Sequence, residues 1–328
     1  MGHNTLMLGL DAGGTSTRAV LMTSQGECVG YGVGGRGNPI ATGPDLAAQG
    51  VLDAVALALA PSSRALADVS VITVAMAGQK AAEGEGAWLG DRLAAEGFAG
   101  RLTFESDLLA TYFSGSVEPF GYAIVAGTGA CAVRVSGGRI AGTADGLGWL
   151  LGDRGSGFWI GRRVARAVVR DLDDAGPATT LTGAVLEHLD IVEDATRREG
   201  RSRTLENLVG ALYGARPIEL AALAPLAFAA DDQVAESILR RAGEHLADSF
   251  AAVLSGPGPL VVGGSVLFRP SAVRNAFMQR LGDAAAGLEL LPVVDGAVGA
   301  GVLALRAGGA RPSSEMHIRL RESLSHFR

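Results

Sequence analysis

LGLDAGGTSTRAVLMTSQGECVGYG, Leu8 to Gly32, sets the frame for the whole chain. An apolar run ends at Asp11, a turn of Gly13, Gly14 and Thr15 follows, and a second apolar run spans Ala19 to Met22. Ser24-Gln25-Gly26 turns the chain again before a third run, Cys28 to Val33. Short apolar runs bounded by glycine and small polar residues predict strands joined as hairpins. Glycines at the first turn let backbone N–H groups approach an anion without a Cβ in the way, and Thr15 and Ser16 add hydroxyl donors. Asp11 at the strand end is placed to hold a metal ion through water, the pairing that magnesium–nucleotide chemistry needs. An ordinary Gly-rich hairpin would carry the same residues.

The second half of the chain answers this stretch. Ile124 to Ala144 reads IVAGTGACAVRVSGGRIAGTA: strand, Gly-Thr-Gly turn, strand, Gly-Gly turn, strand. Placing Thr15 on Thr128 also places Ala19 on Ala132 and Val20 on Val133, so the chain carries a weak internal repeat. Two phosphate-facing hairpins on two similar halves predict a nucleotide held between two domains.

At 328 residues the chain has room for two domains. Its apolar stretches are too short or too broken by glycine to cross a bilayer, and no leader-like segment opens it. A net charge of −6 argues against a nucleic-acid binder. The one basic cluster, Arg197, Arg198, Arg201 and Arg203, is interspersed with Glu193, Asp194 and Glu199 and is expected to be a solvated helix end and loop. Two cysteines, Cys28 and Cys131, exclude a disulfide framework or a Cys-based metal site within one chain and suggest a cytoplasmic protein. The five histidines, His3, His188, His245, His317 and His326, lack ligand spacing.

After the opening strands, a helix is expected over 45–60, stopped by Pro61. A buried strand over 69–75 ends at Gly78, a helix covers 85–96, and a strand covers 102–105. Ser106 caps a helix that starts at Asp107. Three more strands start from Tyr122, Cys131 and Arg139, and several helices follow within 155–254, broken by Pro177, Pro217 and Pro225. A strand (260–263), a helix (270–281), a strand (288–291), a helix (296–307) and a terminal helix (316–327) complete the chain; the last is expected to pack back on the first domain. Strands alternating with helices predict an α/β fold with a partly parallel sheet.

Taken together, these motifs resemble the N-acetylglucosamine kinase group of the benzoyl-CoA-reductase-activator type ATPases, within the actin-like sugar kinases. The first phosphate motif is similar to Asp11-Ala12-Gly13-Gly14-Thr15-Ser16-Thr17, the second to Ile124 to Ala130, the adenosine motif to Leu260 to Val266, and a connecting segment to Asp295 to Ala300. The resemblance implies two actin-like (RNase H-like) domains, residues 1–117 with 308–328 and residues 118–307, with the active site in the cleft between them. It implies ATP and Mg2+, the latter held through water by Asp11. Phosphates would lie on Gly13, Gly14, Thr15, Ser16, Thr17, Gly127, Thr128 and Gly129, and adenosine against Gly263, Gly264 and Ser265. On the sugar side it implies Asn38 of GGRGNP, Asp107 of SDLLATYFSG as catalytic base, Gly127, and Asp153 of GLGWLLGDRGSGFWIG, with Asp145 as a supporting acid. The family signature has Gly-Asp-Glu-Gly-Ser where this chain has Arg154 in place of Glu.

Each sugar-side residue also has a plain structural explanation. Asp107 follows a cap at a helix start, Asn38 precedes Pro39 in a turn, and Asp153 sits in a loop or cap. Trp149 and Trp159 suit packing between helices better than stacking on sugar. The expected activity is ATP-dependent phosphorylation of the 6-hydroxyl of glucosamine, with domain closure excluding water. Glucosamine is preferred because the changed signature resembles the glucosamine-kinase branch. N-acetylglucosamine kinase is the alternative, and a redox-activating ATPase a more distant one. The expected partners are an amino sugar, ATP and a second copy in a homodimer, with no nucleic acid and no membrane.

Overall fold

The computed structural model describes residues 5–77, 87–268 and 271–328. By backbone proximity the chain divides into two compact units, Met1–Gly121 with Val135–Ile140 and Leu291–Arg328, and Tyr122–Arg134 with Ala141–Leu290.

The first unit is built on β1 (Leu6–Ala12), β2 (Thr17–Thr23) and β3 (Cys28–Gly34). Helices α1 (Pro39–Thr42) and α2 (Pro44–Leu59) follow, then β4 (Val69–Met76), α3 (Ala87–Ala95), β5 (Arg101–Ser106) and α4 (Asp107–Gly115). The sheet order is β3-β2-β1-β4-β5, with β1 antiparallel to β2 and parallel to β4. Alternation along β1 decides which helix each face receives. Leu6, Leu8 and Leu10 join the apolar cluster that holds Val51, Ala54 and Ala58 of α2. The opposite face takes α12 (Gly296–Ala307), which packs on β1, β4 and α4. The helix lies so close that a Cβ on Gly299 would meet the Ala110 carbonyl oxygen of α4 at 1.8 Å. Gly299→Ala should therefore force backbone apart and cost ~1–3 kcal/mol or more, read as a lowered urea midpoint. The last helix, α13 (Ser314–Ser325), is tied to this unit by the bond from Cys28 N–H to Ser323 Oγ (2.9 Å) and by His317 against the Ser114 carbonyl (2.9 Å).

In the second sheet the order is β12-β11-β6-β7-β8, formed by β6 (Gly121–Ala126), β7 (Ala130–Ser136), β8 (Arg139–Asp145), β11 (Gly258–Gly263) and β12 (Leu288–Pro292). Written from the hairpin outward, 8-7-6-11-12 repeats 3-2-1-4-5, so the weak repeat in sequence is a true repeat in topology. Between β8 and β11 lie α5 (Gly148–Leu151), α6 (Gly157–Leu172), α7 (Leu181–His188), α8 (Arg203–Gly214), α9 (Ala224–Ala229) and α10 (Gln233–Ala251); α11 (Ala272–Leu281) follows β11. Tyr122, Ile124 and Ala126 of β6 share one core with Ile160, Val164 and Val168 of α6 and Leu239, Ala242 and Leu246 of α10.

Three features differ from expectation or fall outside the described residues. Residues 291–307, expected in the second domain, group with the first unit, because α12 buries its apolar side on β1, β4 and α4. The basic cluster is a short ribbon, β9 (Arg197–Arg198) with β10 (Arg201–Ser202), in which Arg197 pairs with Asp174 and Arg201 with Asp173. Gly78 as a strand end, residues 85–86 as a helix start, Pro270 and His3 lie outside the described residues.

Candidate active site

In the first unit the turn between β1 and β2 spans residues 13–16 and is closed by the bond from Gly13 N–H to the Ser16 carbonyl (3.0 Å). Gly14 and Thr15 at its tip are exposed. Thr17 is different. It is fully buried, and its Oγ1 donates to the Gly35 carbonyl (2.9 Å), so it ties the turn to β3 and offers no hydroxyl to a ligand. This removes Thr17 from the expected phosphate contacts.

Asp11, one residue before the end of β1, lies opposite Arg18 of β2, whose guanidinium donates to Oδ2 at 3.3 Å. Burial pushes the Asp11 carboxyl above its ordinary range. Arg18 lowers it, and the charges of Asp295 and Asp107 raise it further. A Cβ on Gly296 would lie 2.1 Å from Asp11 Oδ2, so the start of α12 confines this carboxylate. Asp295 caps the same helix by accepting from Ala297 N–H (2.6 Å), and its other oxygen pairs with Arg328, which also covers the Tyr31 ring at 5.1 Å.

Asp107 is the first residue of α4, where Ser106 caps the helix through Leu108 N–H (3.2 Å). Asp107 Oδ1 accepts from the same N–H at 2.9 Å. Burial raises its carboxyl above the usual range, against the lowering effect of these hydrogen bonds. Asp107 is thus a half-buried carboxylate whose pKa is raised by burial, and its charge in turn raises that of Asp11. Asn38 is 7% exposed and spends both ends of its amide locally. Oδ1 caps α1 through Ile40 N–H (2.9 Å) and Nδ2 donates to the Ala77 carbonyl (3.2 Å). Its second N–H and one lone pair of Oδ1 remain for a ligand.

In the second unit the Gly127-Thr128-Gly129 turn joins β6 to β7 and is closed by Gly127 N–H on the Gly129 carbonyl (2.9 Å). The first N–H groups of α6 fasten it: Gly157 donates to the Gly127 carbonyl (2.7 Å) and Phe158 to the Thr128 carbonyl (3.1 Å). Asp153 is 6% exposed, with a left-handed backbone (φ 55°), and its Oδ1 accepts from Ala130 N–H at 3.2 Å. Its carboxylate lies so close to the turn that a Cβ on Gly129 would stand 2.9 Å from Oδ2. Burial raises its carboxyl, and the Asp145 charge adds to the rise. Asp145 accepts the N–H groups of Asp153 (2.5 Å) and Arg154 (2.9 Å), so it braces the loop from behind. At the end of β11, Gly264 has φ 84° and lies against the Ala126–Gly127 backbone, and Val266 N–H donates to the Ala126 carbonyl (3.0 Å). Gly263, Gly264 and Ser265 thus stand beside the second phosphate turn.

A family model described as the BadF/BadG/BcrA/BcrD ATPase family matches residues 8–304. The chain belongs to that family. It is 26% identical over 331 residues to an N-acetyl-D-glucosamine kinase of Dictyostelium discoideum, covering 92% of this chain and 98% of the relative. Over 183 residues it is 31% identical to a glucosamine kinase of Vibrio cholerae, covering 56% of this chain and 61% of that one. A solved structure from Chromobacterium violaceum, provisionally assigned as an N-acetylglucosamine kinase, shares 25% identity at a TM-score of 0.69, over 93% of this chain and all of that one. The fold is α/β of the actin-like sugar kinase type, with two domains.

Against this family pattern, three residues of the site were missed in the sequence. Arg18 was hidden because its partner Asp11 is opposite only once the hairpin register is known. Asp295 was named only as the first residue of the connecting segment, with no sign that its charge reaches Asp11. His245, near the middle of α10, receives the Arg154 guanidinium at 2.7 Å through Nδ1. Burial and then Arg154 lower the His245 pKa. The residue that departs from the family signature is thereby engaged with a helix side chain. Trp159 meets His245 edge to face (5.1 Å) and packs on the core, matching the packing role.

Proposed function

We propose that this chain transfers the γ-phosphoryl group of ATP to the 6-hydroxyl of glucosamine. The observation that carries the proposal is Asp107, a confined carboxylate with a raised pKa at a helix start, in the same unit as Asp11 and the exposed Gly14-Thr15 tip. Membership of an ATPase family and likeness to two amino-sugar kinases support the reaction class. The Asp153-Arg154-Gly155-Ser156 run, with Arg154 held by His245, supports the free amine: an anionic Asp153 suits an ammonium group.

In this scheme Asp107 takes the proton from the attacking sugar hydroxyl as oxygen bonds to phosphorus and ADP leaves, a base contribution of ~10²–10⁴-fold. N–H groups and hydroxyls at Gly13 to Ser16 and at Gly127 to Gly129 hold phosphate oxygens. Gly263, Gly264 and Ser265 leave room for adenosine. Asn38, Gly127 and Asp153 hold sugar hydroxyls or the amine, and Asp145 keeps the Asp153 loop in place. A single carboxylate beside a phosphate turn fits Mg2+, which takes one or two carboxylates with substrate phosphates and water. Bound there, the ion would neutralise charge on the β- and γ-phosphates. Asp11→Ala should raise the Mg2+ concentration for half-maximal rate severalfold. Gly296→Ala should act in the same direction, because the added methyl displaces the Asp11 carboxylate; magnesium titrations of initial rate check both.

Initial rates with glucosamine, N-acetylglucosamine and glucose at fixed ATP test the proposal. A kcat/KM highest for glucosamine is expected. A preference for the acetylated sugar would favour the second reading, N-acetylglucosamine kinase, which the 26% identical relative supports. The redox ATPase has less support: the Cys28 thiol is buried, pushed up to about 11 and donates to the Gly30 carbonyl, which makes it a poor cluster ligand. The reading includes a cytoplasmic homodimer, and sedimentation of the purified chain tests the dimer.

A further inference from the structure

In the second unit, Arg163, Arg166 and Arg170 follow one another along α6 at steps of three and four, so they form one stripe. The neighbouring helix α10 adds Arg241. The four arginines line a groove of about 410 Å³, within the usual size range of small-molecule sites, roughly 300–1,000 Å³. Val234 and Ile238 give the groove an apolar side, and Gln233 and Ser237 add uncharged donors.

What sets this groove apart is that its lining, among the described residues, holds four arginines and no carboxylate. Among the described residues the ion pairs engage Arg18, Arg197, Arg201, Arg216, Arg240, Arg280, Arg319 and Arg328, and none of the groove arginines. Arg170 spends Nε and Nη2 on the Ala175 carbonyl (3.2 and 2.9 Å), and Arg163 lies over the Trp159 ring at 4.9 Å. Burial, followed by the charges of Arg166, Arg162 and Arg241, holds the Arg163 guanidinium below its ordinary range. In a chain of net charge −6, four cations crowded on one groove do not follow from composition. Like charges sharing one groove oppose folding, and an anion that fills it relieves the repulsion.

We propose that the α6–α10 groove is a binding site for a phosphorylated small molecule, separate from the residues assigned to the transfer reaction. Guanidinium forks suit phosphate oxygens in pairs, and those of Arg166 and Arg241 line the groove together with the charges of Arg163 and Arg170, which calls for an anion with more than one negative charge. The apolar side formed by Val234 and Ile238 would receive the uncharged part of an organic phosphate. The inference does not depend on which sugar is phosphorylated.

Thermal unfolding of the full chain tests it, with every titration run in the parent and in the groove variant so that any binding at the transfer site, common to both, cancels. Tripolyphosphate should raise the Tm more than sodium sulfate does at equal ionic strength. In Arg166→Gln/Arg241→Gln the apparent Kd from the Tm titration should weaken at least ~10-fold, the scale of one lost charged hydrogen bond or more. Without added anion the variant should unfold no lower than the parent at low salt, since repulsion has been removed, and its basal turnover should be unchanged. Glucosamine 6-phosphate in a parallel titration distinguishes sources: saturation below the tripolyphosphate range points to an organic phosphate, and the reverse to a polyphosphate. Equal shifts with sulfate and tripolyphosphate, equal shifts in parent and variant, or no shift with either phosphate would overturn the proposal.

Discussion

Asp107→Asn should lower kcat at least ~10²-fold while leaving the ATP KM nearly unchanged, because only the proton acceptor is lost. Asparagine keeps an oxygen at the position that accepts from Leu108 N–H, and Ser106 still caps α4. The fold should therefore survive, and stability should move the other way from activity. Burial raises the Asp107 pKa, so the folded state disfavours the ionised form. Stability from this group is complete below the unfolded carboxyl pKa and is lost as pH rises through the higher folded value. At pH 7 the charge opposes folding, and the neutral amide should raise the Tm; at acid pH, where the parent carboxyl is protonated, the gain should disappear. The parent's kcat should fall on the acid side with a midpoint above the usual carboxylate range. A less than tenfold loss of kcat would make Asp107 a helix-start acid and move the base elsewhere.

Asp153→Ala should raise the glucosamine KM about 10- to 150-fold, corresponding to roughly 1.5–3 kcal/mol for hydrogen bonds to a charged group. The position of Asp153 adds a second effect. Its Oδ1 accepts from Ala130 N–H and its carboxylate lies against Gly129, so the alanine variant also loosens the second phosphate turn and should raise the ATP KM. Asp153→Asn separates the two, since the amide retains the acceptor and the volume and loses only the charge. In that variant the ATP KM should hold while the glucosamine KM rises. The rise should be largest where the sugar amine is protonated and shrink as pH passes the amine's pKa. Equal losses for glucosamine and glucose at every pH would mean that Asp153 meets hydroxyls alone, and the amine is recognised by another group.

Several elements were legible before any coordinates. The hairpins at Leu8–Gly32 and Ile124–Ala144, the Ser106 cap and the start of α12 at Gly296 are local events, set by turn glycines, capping hydroxyls and apolar period within a few residues. The repeat of the two halves was legible for the same reason, since each hairpin carries its own signal. The family motifs brought Asp11, Asp107 and Asp153 forward as residue types in order along the chain. Their environments depended on contacts between segments far apart in sequence. Thr17 looked like one more hydroxyl of a phosphate turn until β3 placed the Gly35 carbonyl against it. Asn38 read as a sugar ligand or a turn residue, and the structure ties both ends of its amide to Ile40 and Ala77. Residues 296–307 left the second domain for the first because Gly299 lets the helix meet the Ala110 carbonyl, a contact spanning 189 positions between residues 110 and 299. Charge behaved likewise: Arg18 with Asp11, Asp295 beside Asp11, and four arginines on one groove all require register or helix packing before they meet. Sequence determined which elements form and which residues carry chemistry, because those follow from neighbours along the chain. Tertiary structure alone decided burial, pairing and pKa, because these follow from neighbours in space.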